Sequence, residues 1–285
     1  MRRLAVVAIL LVACGILPAH AQTLALEFHQ GDTYKYTLHF SATFSVTAAG
    51  APLAENVKVD AKAKEAVTVN AVESDGTADV SLTFSDLTVT TTGKAPDGST
   101  TTTTTTQTNA LPPQQLKIAA DGRIVSVNGE TVSAESPFGV LVGSELVYAV
   151  LPDTAVKPGD KWSKSYDQSQ PGGQSSVHIT STSTYLRDET FHGVSAAVVD
   201  TKSTADFTMS FSGQTPMPGS PAANGPSVPN ATMQGTVTSD TRSWIDPGGH
   251  RVLKSTSKAS LKASISALET GITITGTQTF DLEPA

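Results

Sequence analysis

The sequence predicts a mainly β protein, folded as a curved antiparallel sheet or an open barrel with one packed helix. Apolar and polar residues alternate along most of the chain, which is typical of strands that bury one face. Threonine and serine are abundant, and β-branched Thr fits a pleated surface with one wet side. Pairs such as Asp-Gly and Asn-Gly separate the alternating segments and indicate tight turns between antiparallel strands.

The first 21 residues predict a removable signal peptide. A basic pair precedes an apolar run over residues 4–17, and Ala19-His20-Ala21 then supplies a cleavage site of small residues. A second interpretation stays open, because residues 11–14 (Leu-Val-Ala-Cys) resemble the lipobox of bacterial lipoproteins and would make Cys14 a lipidated N-terminus. Both interpretations predict an extracytoplasmic protein, either periplasmic or secreted after cleavage at Ala21, or a membrane-anchored lipoprotein held through Cys14.

Residues 22–285 are expected to form a single β-rich domain with no transmembrane span. The whole chain carries a formal net charge of −7, which becomes more negative once the basic pair of the signal peptide is removed. An acidic surface disfavours nucleic acid and anionic lipid headgroups as partners. Cys14 is the only cysteine, so a chain cut after Ala21 forms no disulfide and must be stabilised by a hydrophobic core. The outward positions of the alternating segments lack the sustained large apolar residues that a lipid-facing barrel needs.

In the first half, the alternation predicts a long strand followed by a hairpin. Even positions over residues 34–46 are apolar, and odd positions over residues 57–71 continue the pattern. Asp75-Gly76 supplies a turn before a third strand. The apolar parity of this strand changes between Phe84 and Leu87, which predicts a β-bulge that bends it.

The threonine run at residues 100–106 leaves two interpretations open. Asp97-Gly98 predicts a turn that would make the run one arm of an exposed edge hairpin. Low complexity is equally typical of a disordered segment. Further turns are predicted at Asp121-Gly122, Asn128-Gly129 and residues 246–249.

One segment departs from the strand pattern. Ser136 and Pro137 provide a helix start, and apolar residues recur at helical spacing from Phe138 to Leu151 before Pro152 ends the element. This spacing predicts one helix packed on a sheet face or over a barrel mouth. Odd-position alternation returns in the second half, interrupted at residues 212–230, whose Pro and Gly content predicts a flexible surface loop.

A weak internal repeat indicates two related halves. Gly31-Asp32-Thr33-Tyr34 recurs as Gly159-Asp160-Lys161-Trp162, and each motif introduces a long polar strand. Residues 121–125 are loosely echoed by residues 246–252. Short turn motifs also recur by chance in β proteins, so a duplicated architecture and an undivided sheet are both open interpretations. In a duplicated chain, the predicted helix would bridge the halves.

These motifs also carry a resemblance to a known family. Leu26-Glu27-Phe28, Gly31-Asp32-Thr33-Tyr34-Lys35-Tyr36, Leu151-Pro152 and Val156-Lys157-Pro158-Gly159-Asp160-Lys161-Trp162 together resemble a family of secreted bacterial β-proteins known only as a domain of unknown function. The resemblance covers most of residues 22–285 in order. It implies export and a β fold, and it implies no catalytic residue because the family has no established activity. The threonine run and the 212–230 segment depart from the family pattern and leave the number of strands open.

No group of residues forms a catalytic or metal-binding motif, and no cofactor is expected. The five histidines after the signal peptide lack metal-site spacing and are expected at scattered surface positions: His29, His39, His178, His192 and His250. Ser255 and Lys258 match Ser-x-x-Lys, but that chemistry requires a helix start, whereas the flanking alternation predicts a strand on which the two side chains point to opposite faces. Trp162 and Trp244 lie beside turns and are expected to plug the core or a barrel mouth.

Three functions follow from these observations, in order of preference. The first is a non-enzymatic module of the bacterial envelope that binds an apolar small molecule or lipid between the concave sheet and the helix over residues 138–151. The second is a structural or protein-interaction protein of the envelope or cell surface that presents its Ser/Thr-rich strands and the 212–230 loop. The third is an enzyme, which requires that the fold bring histidines and carboxylates together in one cleft.

Overall fold

The computed structural model describes residues 21–48, 51–94, 99–109, 112–127, 130–131, 149–169, 175–211, 231–267 and 270–285. These residues contain no helix, and therefore none long and apolar enough to cross a membrane. Residues 1–20 of the predicted signal peptide, which include Cys14, and the predicted loop at 212–230 lie outside the described residues. The strands are β1 (Thr33–Ala48), β2 (Ala51–Val72), β3 (Ala78–Lys94), β4 (Thr100–Gln107), β5 (Gln114–Ile118), β6 (Ile124–Val127), β7 (Glu130–Thr131), β8 (Lys161–Ser169), β9 (Ser175–Phe191), β10 (Val194–Phe211), β11 (Ala231–Asp246), β12 (Arg251–Ala267) and β13 (Thr270–Pro284).

All thirteen strands belong to one antiparallel sheet, which confirms the expected fold class of a mainly β protein. The strand order is β8-β9-β10-β11-β12-β13-β1-β2-β3-β5-β6-β7, and β4 pairs with β3 off this path. Strands adjacent in the sequence are therefore neighbours almost everywhere, and the pairing of β1 with β13 joins the N-terminal strands to the C-terminal ones. Such a meander needs only short turns between its antiparallel strands.

The two motifs of the predicted repeat have the same local structure. Gly31 and Gly159 adopt φ angles of 95° and 96°, a region that favours glycine. The Gly31 amide donates to the Val69 carbonyl at 2.9 Å, and the Gly159 amide donates to the Tyr185 carbonyl at 2.7 Å. The pairing is reciprocal in both motifs. The Val69 amide donates to the Asp32 carbonyl at 2.9 Å, and the Tyr185 amide donates to the Asp160 carbonyl at 3.0 Å. Each motif thus fastens the start of one strand, β1 or β8, to the strand that follows it.

The predicted β2–β3 hairpin and its bulge are confirmed. The turn contains Gly76 with φ of 85°, and the Asp75 carboxylate accepts a bond from the Thr77 amide at 2.9 Å. The pairing between the strands shifts register between Lys62 and Lys64, opposite residues 85–88 of β3. Asp86 has φ of 51° at this shift, so the bulge lies where the apolar parity of the sequence changes.

The threonine run forms a strand, which decides between the two interpretations of this segment. β4 pairs antiparallel with residues 87–94 of β3, and all eight of its residues are exposed. Hydroxyl pairs at 3.1 Å join Thr90 to Thr104 and Thr92 to Thr102 across the two strands. The run is therefore one arm of an edge hairpin, and the predicted turn at residues 97–98 lies outside the described residues.

The predicted packed helix over Phe138–Leu151 is not supported. Residues 132–148 lie outside the described residues, and Ala149–Leu151, which lie within them, form no helix. The Ala149 amide donates to the Ser243 hydroxyl at 2.9 Å, and the Leu151 amide donates to the Asp121 carbonyl at 2.8 Å. Because these amides bond to β11 and to the β5–β6 turn and not to carbonyls four residues earlier, they do not continue an α-helix.

The sheet bends strongly toward one face. Asp121 Oδ2 lies 3.6 Å from the Lys164 ammonium, and the Arg123 guanidinium lies 5.3 Å from the centroid of the Tyr166 ring. These contacts join the β5–β6 turn to β8, near opposite ends of the strand order, so they require a curved sheet. We call the concave face, which carries Lys164 and Tyr166, the inner face. We call the end with turns at residues 73–77, 119–123, 192–193 and 247–250 the base, and the opposite end the rim.

Candidate binding face

A hydrophobic core fills the base of the inner face. Two chain segments, residues 22–28 and 149–156, cross this end of the sheet and hydrogen-bond to each other through Gln22 and Val156. The buried side chains of the core are Leu24, Leu26, Ala149, Leu151, Val156, Tyr185, Ala197, Val199, Ile245 and Val252. Trp162 packs against them and donates from Nε1 to the Val150 carbonyl at 2.8 Å, so it is a core plug as expected.

Beyond the base core, the inner face of β9–β13 divides into two zones. Inward side chains occur at every second residue, so β9–β12 each contribute to both zones, and β13 contributes Gln278 to the first. The zone next to the base, which we call the hydroxyl belt, consists of buried polar residues: Ser181, Ser183, Thr201, Ser203, Ser239, Thr241, Ser243, Ser255, Ser257 and Gln278. The zone toward the rim, which we call the apolar patch, consists of Val177, Ile179, Phe207, Met209, Val237, Ala259 and Ala263.

Two rows of the belt satisfy their own hydroxyl groups. Ser183 and Thr201 lie opposite each other on β9 and β10 with their hydroxyl oxygens 2.8 Å apart. In the same row, the Thr241 hydroxyl donates to Ser257 at 2.9 Å. The row nearer the base contains Ser243, whose hydroxyl oxygen accepts a hydrogen bond from the Ala149 amide. Paired hydroxyls of this kind remove most of the cost of burying polar groups.

The third row, which begins with Ser181 opposite Ser203, differs because three of its oxygens have no partner among the described residues. Ser203 lies opposite Ser239, which lies opposite Ala259, which lies opposite Gln278. Ser203, Ser239 and Gln278 are only 7%, 5% and 7% exposed. Within the described part of the chain, Ser203 Oγ, Ser239 Oγ and Gln278 Oε1 make no hydrogen bond. We call these three residues the open row.

The hydrophobic neighbours of the apolar patch that the structure describes all belong to the same part of the sheet. Within the described residues, the hydrophobic side chains that pack against it are Tyr166, Ala205, Met233, Leu261 and Ile274, and all five belong to β8–β13. A single-layer sheet buries its apolar face by placing another layer against it. Within the described part of the chain, no hydrophobic residue from β1–β7 packs against this patch.

Charged groups are absent from the belt itself and occur only beside it. Across the described strands β9–β13, every inward residue of the belt is uncharged. Lys164 of β8 lies opposite Ser181, but its ammonium is 2.5 Å from Asp153 and 3.6 Å from Asp121. A charge entering the belt would therefore find no free counter-ion there.

The other half of the inner face carries one carboxylate in an apolar setting. Glu65 of β2 lies opposite both Tyr36 of β1 and Phe84 of β3. Burial raises the pKa of the Glu65 carboxyl to about 7. The same burial, with the nearby Glu65 charge, raises the pKa of the Tyr36 hydroxyl, which donates to the Val252 carbonyl at 2.8 Å.

Two histidines that lie far apart in the sequence approach the same carboxylate at the base. His29 and His250 each lie 3.5 Å from the Glu27 carboxylate, and His29 also lies 3.5 Å from Asp32. A cleft of about 430 Å³ opens here, lined by Glu27, His29, Asp32, Thr33, Tyr34, Gly249 and Arg251. Among the described residues, no three His, Cys, Asp or Glu side chains have a geometry suited to a metal ion. The cleft is wide and solvated, since His29 and Glu27 are more than half exposed.

The remaining candidate residues lie apart from these sites. Ser255 is buried on the inner face and Lys258 is exposed, so the Ser-x-x-Lys pair spans both sides of β12 as the strand alternation predicts. Trp244 is not a core plug: it lies on the outer face, where Lys254 Nζ is 5.4 Å from its ring centroid. The three further histidines occupy separate places, since His39 pairs with Asp60, His178 pairs with Asp167, and His192 stacks on Phe191.

The open row and Glu65 were not predicted from the sequence. The sequence does contain a signal for the row. Ser181 and Ser183 lie two and four residues after the apolar Ile179, and Ser203 lies two residues before Ala205, so all three serines are on the same side of their strands as these apolar residues. Polar residues at inward positions interrupt an otherwise apolar alternation. The alternation alone does not show which of these hydroxyls pair with each other.

Comparisons with known proteins give no family. No family model matches the chain, and no curated protein matches it. An outer membrane channel from Pseudomonas putida F1 aligns with 90% of this chain and 97% of its own, at 9% identity and a TM-score of 0.28. OccK7 (OpdD) of Pseudomonas aeruginosa aligns with 90% of this chain and 99% of its own, at 8% identity and a TM-score of 0.27. Scores this low establish neither a shared fold nor a function.

Proposed function

We propose that this protein is an exported, non-enzymatic binding protein that holds a lipid-like molecule, with an apolar chain, against the inner face of β9–β13. The observation that carries the proposal is the apolar patch, whose described hydrophobic neighbours all lie in β8–β13. Its members include large side chains, Phe207 and Met209 among them, and each fully buried side chain of this size is worth about 1.5–3 kcal/mol. Because Phe207 and Met209 are already only 3% and 5% exposed, an apolar occupant would gain free energy mainly by burying its own surface against them.

The arrangement of the inner face also favours an amphipathic occupant over a purely apolar one. The base core closes one end, so an occupant that enters from the rim meets the apolar patch first and the hydroxyl belt at its inner end. Binding sites for small molecules commonly combine a mostly apolar wall with a few placed polar groups. This order along the strands fits a molecule with an apolar chain and a polar end.

The location of the proposed function follows from the sequence. Residues 1–21 have the pattern of a signal peptide, and cleavage after Ala21 or lipidation of Cys14 would each place residues 22–285 in the bacterial envelope or outside the cell. An envelope protein with this inner face would carry or hold a lipid-like molecule in an aqueous compartment. The acidic net charge disfavours adsorption to anionic lipid surfaces.

The first test is native mass spectrometry of the protein expressed with its signal peptide and purified from the envelope of a bacterial host. We expect extra mass that denaturation releases as a lipid-like molecule, on a chain that begins at Gln22 or at a lipidated Cys14. A bare polypeptide that also fails to bind the uncharged apolar dye N-phenyl-1-naphthylamine would overturn the proposal. Such a result would mean that the chain's own residues cover the patch.

A matched pair of variants locates the site. Ala205→Leu enlarges a side chain beside the apolar patch on the inner face of β10, whereas Thr208→Leu adds a leucine to an exposed outward position of the same strand. We expect Ala205→Leu to weaken dye binding several-fold and Thr208→Leu to leave it unchanged. Thermal unfolding of both variants separates loss of the site from loss of the fold. Equal effects of the two substitutions on binding would place the ligand elsewhere.

A second candidate function, protein interaction, is favoured by β4. This strand is fully exposed, contains no charged residue or proline, and pairs only with β3 among the described strands. An uncharged open edge can accept a strand from another chain by β-augmentation. A partner captured by this edge would depend on the residues of β4 and not on the inner face.

A further inference from the structure

The open row indicates what kind of polar group the proposed ligand carries. Ser203, Ser239 and Gln278 face the same side of four adjacent strands, with only the methyl group of Ala259 between the second and the third. With neighbouring strands about 4.8 Å apart, the row extends roughly 15 Å across the inner face. The row is thus a strip of uncharged side chains that crosses four strands and carries three unpartnered oxygens.

The contrast with the adjacent row shows that serine and threonine hydroxyls on this face can satisfy one another. Ser183 pairs with Thr201, and Thr241 pairs with Ser257, at distances of 2.8 and 2.9 Å. Ser203 and Ser239 lie opposite each other in the same way, yet their oxygens are unpartnered in the described structure. A buried hydroxyl or amide without a partner is costly, so such groups in native proteins commonly bond a ligand or a water.

The charges around the row decide between classes of polar group. The belt contains no charged side chain, and the nearest ammonium along the row, that of Lys164, already has Asp153 and Asp121 beside it. An anionic headgroup would meet two carboxylates there, and a cationic one would lack a carboxylate within the belt. Burying an unpaired charge costs far more than burying a hydrogen-bonded neutral group.

We infer that the ligand of the proposed binding function presents an uncharged group, one that both donates and accepts hydrogen bonds, to Ser203, Ser239 and Gln278. Gln278 Oε1 accepts a hydrogen bond from this group, and the two serine hydroxyls donate to it or accept from it. A glycerol-like or other polyol headgroup on an acyl chain has this chemistry. The inference rests on the proposed function and adds the ligand class to it.

Four probes with the same chain and different ends test the inference: monoolein, methyl oleate, oleate and oleylamine. Each probe is titrated at pH 8 into the purified mature protein with N-phenyl-1-naphthylamine bound. The loss of dye fluorescence gives the affinity of the probe. We expect monoolein to bind about tenfold more tightly than methyl oleate, and the two charged probes to bind no better than methyl oleate. Tightest binding by oleate or oleylamine would overturn the inference, as would equal affinity for all four.

Variants of the row provide the second readout. Ser239→Ala and Gln278→Leu each remove one unpartnered oxygen from the row. Gln234→Leu is the control, because it makes the same Gln-to-Leu change at an exposed outward position of β11. We expect the first two to reduce monoolein affinity about three- to tenfold without changing methyl oleate affinity, and the third to change neither. If Ser239→Ala and Gln278→Leu both leave monoolein affinity unchanged, the inference is wrong and water alone bonds to the row. Failure of all four probes to displace the dye would instead contradict the proposed function.

Discussion

The hydroxyl oxygens of Ser183 and Thr201 lie 2.8 Å apart across β9 and β10, and Thr201 is only 1% exposed. Ser183→Ala removes one partner and leaves the other hydroxyl buried and unsatisfied. We expect a loss of about 1–3 kcal/mol in the free energy of unfolding, measured by urea titration. Ser203→Ala, which removes an oxygen that has no partner in the described structure, should change stability by less than about 0.5 kcal/mol or increase it.

A double variant checks that the first effect arises from the broken pair. Ser183→Ala combined with Thr201→Val removes both oxygens and keeps the shape of the second side chain. We expect the double variant to be more stable than Ser183→Ala alone. If Ser183→Ala and Ser203→Ala cost the same, the distinction between paired and open rows is wrong.

Glu65 predicts a pH dependence of stability. Its pKa is raised to about 7 in the folded protein from an ordinary value of 4.5, so the folded state holds a proton that the unfolded state has already released between these values. Stability should therefore fall as pH rises from about 4.5 to about 7, and stay low above that range. Glu65→Gln removes this loss, because the amide stays neutral. We expect the variant and the parent to have similar stability near pH 4, and the variant to be more stable above pH 7.

The difference between variant and parent isolates Glu65 from the other carboxyl groups. Urea titrations at several pH values from 4 to 8 give that difference directly. Asp240→Asn serves as the control, since it makes the corresponding acid-to-amide change at a mostly exposed position. A flat difference for Glu65→Gln would show that the carboxyl is ionised without cost in the fold.

Gly31 and Gly159 allow a test of the repeat. Both have φ near 95°, and no atom lies within 4 Å of the place that a Cβ would occupy, so the cost of an added methyl group is conformational and not steric. We expect Gly31→Ala and Gly159→Ala to destabilise the protein by similar amounts, about 1–3 kcal/mol each, in thermal or urea unfolding. Gly271→Ala, at an exposed position with nothing near the added group, is the control. A large effect at one motif only would argue against equivalent local structures.

Much of the fold follows from local patterns in the sequence, because alternation, turn residues and a change of parity act over a few residues. The β2–β3 hairpin and the bulge near Asp86 were predictable for this reason. The predicted helix failed at its C-terminal end, where the amides of Ala149 and Leu151 bond to Ser243 and Asp121. Those partners are distant in the chain, and helical spacing of apolar residues carries no information about them.

The candidate site depended on register, which the sequence shows only in part. The inward parity of Ser203 and Ser239 could be inferred from neighbouring apolar residues, so their burial was within reach of the sequence. The position of these serines opposite each other, and the approach of His250 to Glu27, arise from contacts between segments that are distant in the chain. Such relationships are set by the whole sheet and not by any single motif.

The open edge of β4 predicts self-association. Thr101 and Thr103 are exposed on a strand whose outer edge has no partner among the described strands, and an uncharged edge of this kind is prone to pair with another copy. We expect the parent protein to show concentration-dependent association in analytical ultracentrifugation and Thr101→Lys/Thr103→Lys to reduce it, because charges on an edge oppose strand pairing. Thr208→Lys/Ser210→Lys adds the same charge to exposed positions of β10, which is paired on both sides, and should leave association unchanged. If both lysine pairs reduce association equally, net charge and not the β4 edge controls it.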